Sequence, residues 1–197
     1  MRHFVYFSKS AATSGKALSG GNLMKAGRMD IAIHTIIAGF FLSHDLRKDV
    51  KMHLVFYGMP DPPKHIEMQI KPELEISKKD VATLIKKILY KYREGEKTEV
   101  LPGCFVEKKS LLKVIEELKE QGNVIYILDK KGDDIREFDM TKNCVFIVGD
   151  QDGLPDKELK RLKQTAVPIS IGPKTYFASQ TVAIVNNELD RKEMWEA

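Results

Sequence analysis

Val145-Phe146-Ile147-Val148-Gly149-Asp150-Gln151-Asp152-Gly153-Leu154-Pro155 decides the fold class. Its first four residues are apolar without alternation, and three of them are β-branched. That is the pattern of a short strand covered on both faces. The glycine, acidic and proline residues behind it end the strand in a turn. Val124 to Leu128 repeats the pattern upstream, and Val167 to Ile171 follows it as a further strand. A short charged helix, Asp156 to Lys163, fits between the last two, and an apolar helix, Ala178 to Asn187, comes after them. Buried strands alternating with helices predict an α/β fold with a mostly parallel sheet. Ligands in such sheets bind beyond the carboxyl ends of the strands. Three turns answer to that rule: Asp129 to Asp134, Gly149 to Pro155, and Gly172-Pro173-Lys174-Thr175-Tyr176-Phe177. Taken singly, each reads better as an ordinary loop at a strand end; it is the three together, in the last third of the chain, that point to a ligand site.

The N-terminal half gives the same class of fold. His3 to Ser8, Met52 to Tyr57 and His65 to Ile70 read as strands, and Met29 to Ser43 as an apolar helix after a long small-residue loop from Lys9 to Gly27. Ser77 to Lys91 is an amphipathic helix with Val81, Leu84, Ile85, Ile88 and Leu89 on one face. Its start, Ser77-Lys78-Lys79-Asp80, has the form of a capping box with Asp in place of Glu. Ser110 to Lys119 is a second amphipathic helix, closed by Gly122. Gly58 to Pro63 and Glu94 to Gly103 are loops within a domain.

At 197 residues the chain has room for one domain. The longest apolar stretch, Ile31 to Leu42, is interrupted by His34 and Thr35 and is shorter than the roughly 20 residues of a membrane span. The first residues lack the apolar core of a signal peptide, so a cytoplasmic protein is expected. Cys104 and Cys144 sit in or beside strand-like segments and read as buried thiols. The net charge of +4 permits a polyanionic partner without requiring one. Lys78, Lys79, Lys86, Lys87, Lys91 and Arg93 lie on or beside one helix, and Lys9, Lys16, Lys25 and Arg28 punctuate the first long loop. The helix cations read first as a solvated face, whereas the flexible basic loop suits contact with the phosphates of a folded RNA. There is no G-x-G-x-x-G, P-loop, C-x-x-C, H-E-x-x-H, EF-hand or G-x-S-x-G pattern. The five histidines lack metal-ligand spacing, so no metal is expected.

The strand-Gly149-Asp150-x-x-Gly153 and Ile169-Ser170-Ile171-Gly172-Pro173 segments, followed by an apolar helix, resemble the C-terminal half of SPOUT methyltransferases. Gly27-Arg28-Met29-Asp30-Ile31, Phe41-Leu42-Ser43-His44-Asp45-Leu46-Arg47-Lys48-Asp49-Val50 and Phe56-Tyr57-Gly58-Met59-Pro60-Asp61-Pro62-Pro63 resemble the archaeal tRNA pseudouridine-54 N1-methyltransferases of that superfamily. The resemblance covers nearly the whole chain. It implies a SPOUT-like α/β fold with a deep C-terminal trefoil knot. It implies one domain over 1–197, with a substrate-binding part at about 1–105 and a cofactor-binding part at about 120–197.

It further implies methyl transfer from S-adenosyl-L-methionine (SAM) to N1 of pseudouridine 54 in the T-arm of tRNA, by a homodimer. The implied cofactor residues are Leu128, Gly149, Gly172, Pro173, Lys174, Thr175, Tyr176, Phe177, Thr181 and Val182. The family commonly has cysteine where Thr181 stands. Asp30 and Arg28 are the implied catalytic pair, with Arg28, Asp30, His44 and Arg47 contacting substrate. Competing readings remain for these residues. Asp30 suits the positive end of a helix, Arg47 a pair with Asp45 or Asp49, and Tyr176 and Phe177 a core. The same pattern also fits a pseudouridine N1-methyltransferase of small-subunit ribosomal RNA, or a non-catalytic RNA-binding protein of the same fold.

Overall fold

A computed structural model of the chain describes residues 1–140 and 143–196. Eight strands form one sheet: β1 (Arg2–Ser8), β2 (Val50–Phe56), β3 (Lys64–Gln69), β4 (Thr98–Leu101), β5 (Cys104–Glu107), β6 (Val124–Asp134), β7 (Cys144–Gly149) and β8 (Val167–Ser170). Their order across the sheet is β4-β5-β3-β2-β1-β7-β6-β8. The run β2-β1-β7-β6-β8 is parallel throughout, and β3, β5 and β4 extend it as antiparallel strands. Every residue of β1 is buried, and β7 is buried up to its closing glycine, as their unbroken apolar runs require.

Five helices cover the sheet: α1 (Met29–Phe40), α2 (Val81–Tyr90), α3 (Leu111–Glu120), α4 (Asp156–Leu162) and α5 (Ala178–Glu196). Alternation along each strand divides the core. Phe4, Tyr6, Leu54, Phe146 and Val148 pack toward α1, α2 and α5. Val5, Phe7, Val55, Val145 and Ile147 pack toward α3 and α4. The five apolar residues expected on α2 are all buried there. Both cysteines are buried, and burial pushes Cys104 up to about 12 and Cys144 to about 11.

Some local expectations are revised. Asp129 to Asp134 is not a simple turn: β6 continues through it, leaving its partner β8 after Leu128 and pairing with it again at Asp133. Glu94 to Gly103 contains the start of a hairpin, β4-β5, turned at Pro102-Gly103. Ser77 does not cap the backbone of the following helix; its hydroxyl is spent on the Asp80 carboxylate. Helix α1 stops at Phe40, because Phe41 goes extended and bridges to Leu46. Helix α5 runs well past Asn187, because Asp190 is held by Arg2 at 2.6 Å and by Arg47 at 2.5 Å.

On the α3 face, three buried imidazoles stack across three strands. His3 Nδ1 lies 3.1 Å from His53 Nε2, and His53 Nδ1 lies 3.0 Å from His65 Nε2. His65 Nδ1 lies 3.0 Å from the Glu107 carboxylate, which fixes the direction of the chain: His65 donates to Glu107, His53 to His65, and His3 to His53. Burial lowers all three histidines, His3 to about 4 from the ordinary 6.5. Lys51, Lys97 and Lys109 oppose their protonation, while Glu67 and Glu107 favour it. The unfolded chain therefore binds protons below pH 6.5 that the folded chain refuses. The stabilisation is complete at neutral pH and is lost as pH falls from about 6.5 towards 4, by at most ~1.4 kcal/mol per pH unit for each histidine. Glu107, lowered to about 2, adds a loss only at more acidic pH. Urea unfolding should show a native state between about 1 and 4 kcal/mol weaker at pH 5.5 than at pH 7.5. Equal stability at the two pH values would contradict neutral buried histidines.

Candidate functional site

The carboxyl ends of β6, β7 and β8 and the first turn of α5 enclose a cavity of about 350 Å³. Ile127, Ile147 and Ile169 are among its lining residues and are almost wholly buried, so its base is apolar. Its polar lining includes Asp129, Asp150, Lys174, Thr175 and Thr181. At Gly149 the turn folds back so closely that an added Cβ would lie 2.9 Å from the Gly153 backbone, which excludes any side chain there.

Asp150 is the best-anchored polar group of this wall. Its Oδ2 accepts from the Ser8 hydroxyl at 2.6 Å, and its Oδ1 accepts from the Asp152 N–H at 2.9 Å. The Ser8 hydroxyl in turn accepts from the Ala11 N–H at 3.0 Å. This network ties the end of β7 to the end of β1 and to the start of the long loop. Neither Ser8 nor Asp150 stands out by residue type, and 142 residues separate them.

Arg28 and Asp30 stand beside this wall. Asp150, Asp30 and Arg28 all act electrostatically on the buried phenol of Tyr6, which burial raises. Arg28 sits at the N-terminus of α1 with left-handed backbone, φ 60°. Its Nε and Nη2 donate to the two carboxylate oxygens of Asp30 at 3.1 and 3.0 Å. That fork holds Asp30 below the usual carboxylate range, against a smaller opposing effect of burial. Asp30 is therefore a weak base and a firm anchor for the guanidinium.

Of the residues expected at a cofactor, Leu128, Gly149, Gly172, Lys174, Thr175, Tyr176 and Thr181 line the cavity. Pro173, Phe177 and Val182 do not: Pro173 is exposed, Phe177 is 73% exposed, and Val182 is buried in the core. The expected substrate residues divide. Arg28 and Asp30 are on the cavity side. His44 is exposed in the segment after α1, and Arg47 forks onto Asp190 at 2.8 and 2.5 Å beside Arg2. Arg2 and Ser8 are the two ends of β1, which puts Arg47 roughly 20 Å from Ser8 within one chain. The sequence reading missed Asp150, Ala178 and the apolar base. Position at strand ends was the available signal for them. Among the described residues, no cluster of His, Cys, Asp or Glu is arranged to hold a metal ion.

Comparison with known proteins places this site in a family. Residues 1–194 match the family described as "Putative SAM-dependent RNA methyltransferase". The tRNA (pseudouridine(54)-N(1))-methyltransferase of Methanococcoides burtonii is 37% identical over 195 residues, covering 97% of this chain and 96% of that protein. The protein of the same name from Pyrococcus abyssi is 35% identical, covering 97% and 98%. Among solved structures, Archaeoglobus fulgidus Nep1 bound to S-adenosylhomocysteine superposes with a TM-score of 0.66 over 98% of this chain and 99% of that one, at 12% identity. That likeness speaks for the fold alone. The full-length matches carry the assignment: the chain belongs to the family of SAM-dependent RNA methyltransferases, which it shares with these archaeal tRNA (pseudouridine(54)-N(1))-methyltransferases.

Proposed function

We propose that the chain methylates N1 of pseudouridine 54 in the T-arm of tRNA, with SAM as methyl donor. The observation that carries this reading is a preformed cavity at the strand ends with the Arg28–Asp30 fork beside its Asp150 wall, in a chain alignable end to end with enzymes of that name.

The residues present fit SAM. The cavity lies within the roughly 300–1,000 Å³ of small-molecule sites. Its apolar base suits a purine, its closely folded Gly149 turn admits backbone contact, and its carboxylates suit hydroxyl and ammonium groups. Leu128, Gly149, Gly172 and Thr175 to Tyr176 would hold the nucleoside, and Thr181 the amino-acid end. Bound SAM supplies a methyl group activated on a sulfonium, so no metal is needed.

The acceptor chemistry explains the choice of base. In uridine N1 carries the ribose. In pseudouridine the ribose is on carbon, and N1–H is free. N1 would give up its proton and accept the methyl group, which the sulfonium of bound SAM would release to leave S-adenosylhomocysteine. Arg28 would supply the counter-charge for negative charge on the deprotonated base. Asp30, held acidic by that arginine, orients the guanidinium, and water takes the proton.

The division of labour follows the chain. The part at about 1–105 supplies Arg28 and Asp30, and the part at about 120–197 supplies the cavity and contains the trefoil knot. Among the described residues, no helix is long and apolar enough to cross a membrane. We place the enzyme in the cytoplasm as a homodimer, joined through the half-exposed apolar side of α1 that carries Ile31, Ile37 and Ala38, with Phe41 just beyond it. In a dimer His44 and Arg47 would serve the interface or the partner's substrate. Labelled SAM offered with tRNA and a small-subunit ribosomal RNA fragment tests the reading. Label should enter tRNA as N1-methylpseudouridine. Preference for the ribosomal fragment would overturn the tRNA assignment.

A further inference from the structure

Two basic segments far apart in sequence meet on one surface. Residues 9–28 and 77–93 together hold ten Lys/Arg and one Asp, whereas the rest of the chain holds 22 Lys/Arg and 27 Asp/Glu. The net charge of +4 is therefore the difference between a strongly basic surface and an acidic remainder. On α2 the apolar positions 81, 84, 85, 88 and 89 face the core. Thr83, Lys86, Lys87, Tyr90 and Lys91 follow the same i, i+3, i+4 spacing on the opposite face. The first loop lies on that helix. Its Gly15 is so close that an added Cβ would stand 2.4 Å from the Tyr90 ring and 2.6 Å from the Lys86 carbonyl. The Ser19 and Tyr90 hydroxyls are 3.1 Å apart.

The cations of this surface are left without carboxylates. Lys51, Lys64, Lys97, Lys108 and Lys109, on the neighbouring antiparallel edge, are all in ion pairs. Among the described residues, Lys9, Lys16, Lys25, Lys78, Lys79, Lys86, Lys87, Lys91 and Arg93 are in none; Arg28 is the paired member. Unpaired like charges held together repel one another and create a positive potential that attracts a polyanion. The surface is also continuous with the site. The loop leaves β1 at Ser8, bonded to Asp150, and ends at Arg28.

We infer that this composite surface, loop 9–28 on helix α2, is the docking face for the RNA backbone flanking the reactive nucleoside. The inference rests on the proposed RNA methyltransferase reading and deepens it. The cations follow the phosphates, and Arg28 marks the end of the track where one nucleoside turns into the site. Recognition of this kind reads backbone position and shape rather than base edges.

The test is Lys87→Ala/Lys91→Ala, two exposed positions, one in the last turn of α2, where alanine favours the helix, and one at its C-cap. A T-arm hairpin carrying pseudouridine is the probe, its affinity measured between about 50 and 200 mM salt. Affinity should fall on the order of tenfold at the lower salt, with the slope of log K against log salt shallower by about two. SAM affinity should not change. Lys113→Ala/Lys119→Ala on α3, across the sheet, should leave both quantities as in the wild type. An α2 variant with wild-type affinity and slope overturns the surface, even where methyl transfer to pseudouridine proceeds. Equal losses in the α3 variant overturn it too. Lost affinity in the α2 variant alone supports the surface, even where the wild-type protein methylates no pseudouridine, and in that case only the methyltransferase reading fails.

Discussion

Arg28→Ala is expected to lower the rate of methyl transfer to pseudouridine RNA by about 10²–10³-fold and to leave SAM affinity unchanged. The magnitude is that of removing one preorganised charge-stabilising donor from an active site. Two observations set the expectation. Arg28 is fixed by a bidentate hydrogen bond to Asp30, so its guanidinium is already oriented before substrate arrives. It lies outside the cavity lining, so cofactor affinity does not depend on it. Single-turnover rates with saturating RNA separate the effect from binding. Arg28→Lys should recover little, because an ammonium cannot reproduce the planar fork. Asp30→Asn should lower the rate less than Arg28→Ala does, since it loosens the arginine without removing it. A wild-type rate in Arg28→Ala would remove this residue from the chemistry.

Gly27→Ala is expected to be the most damaging single-methyl change. Gly27 has φ +70°, and a Cβ there would lie 1.7 Å from the Ser10 carbonyl oxygen. The left-handed backbone alone costs an L residue roughly 1–2 kcal/mol. The contact is with backbone, so the loop must move as a unit. Three further bonds pass that movement on: Ser10 Oγ donates to the Gly27 carbonyl, Ala12 N–H to the Ala26 carbonyl, and Gly58 N–H to the Ala11 carbonyl. Denaturant unfolding should show a loss of more than about 2 kcal/mol. Methyl transfer should fall as far as in Arg28→Ala, since the next residue is Arg28 itself. SAM affinity should survive, because the cavity is built from β6 onward. Full stability with full activity in Gly27→Ala would contradict the loop geometry.

The reach of sequence reasoning follows from which forces are local. The parallel centre was legible because Val145 to Val148 and Val124 to Leu128 are apolar without alternation, a pattern tied to burial on both faces. The core face of α2 was legible because its five apolar residues keep helical spacing. The cavity's position followed from the rule for strand ends, so the turns that carry Gly149, Gly172 and Thr175, which line it, were legible without coordinates.

What escaped depends on partners distant in sequence. Asp129 to Asp134 is charged and a poor strand former, yet β6 continues through it and rejoins β8 at Asp133 and Asp134, because tertiary context outweighs strand propensity. Arg47 was weighed against Asp45 and Asp49, but its partner is Asp190, 143 residues away. Thr98 to Leu101 and Cys104 to Glu107 are each too short for a periodic signal, and the Pro102-Gly103 pair between them read as loop. Phe177, assigned to the cofactor by resemblance, is exposed and outside the cavity lining, and no pattern in a single chain shows which side of a turn an aromatic takes.

The most direct test is methyl transfer from labelled SAM to two T-arm hairpins that differ only in pseudouridine or uridine at position 54. The account predicts label in the pseudouridine hairpin alone, recovered as N1-methylpseudouridine. Equal labelling of both hairpins would contradict it, because uridine has no free N1 to accept the methyl group.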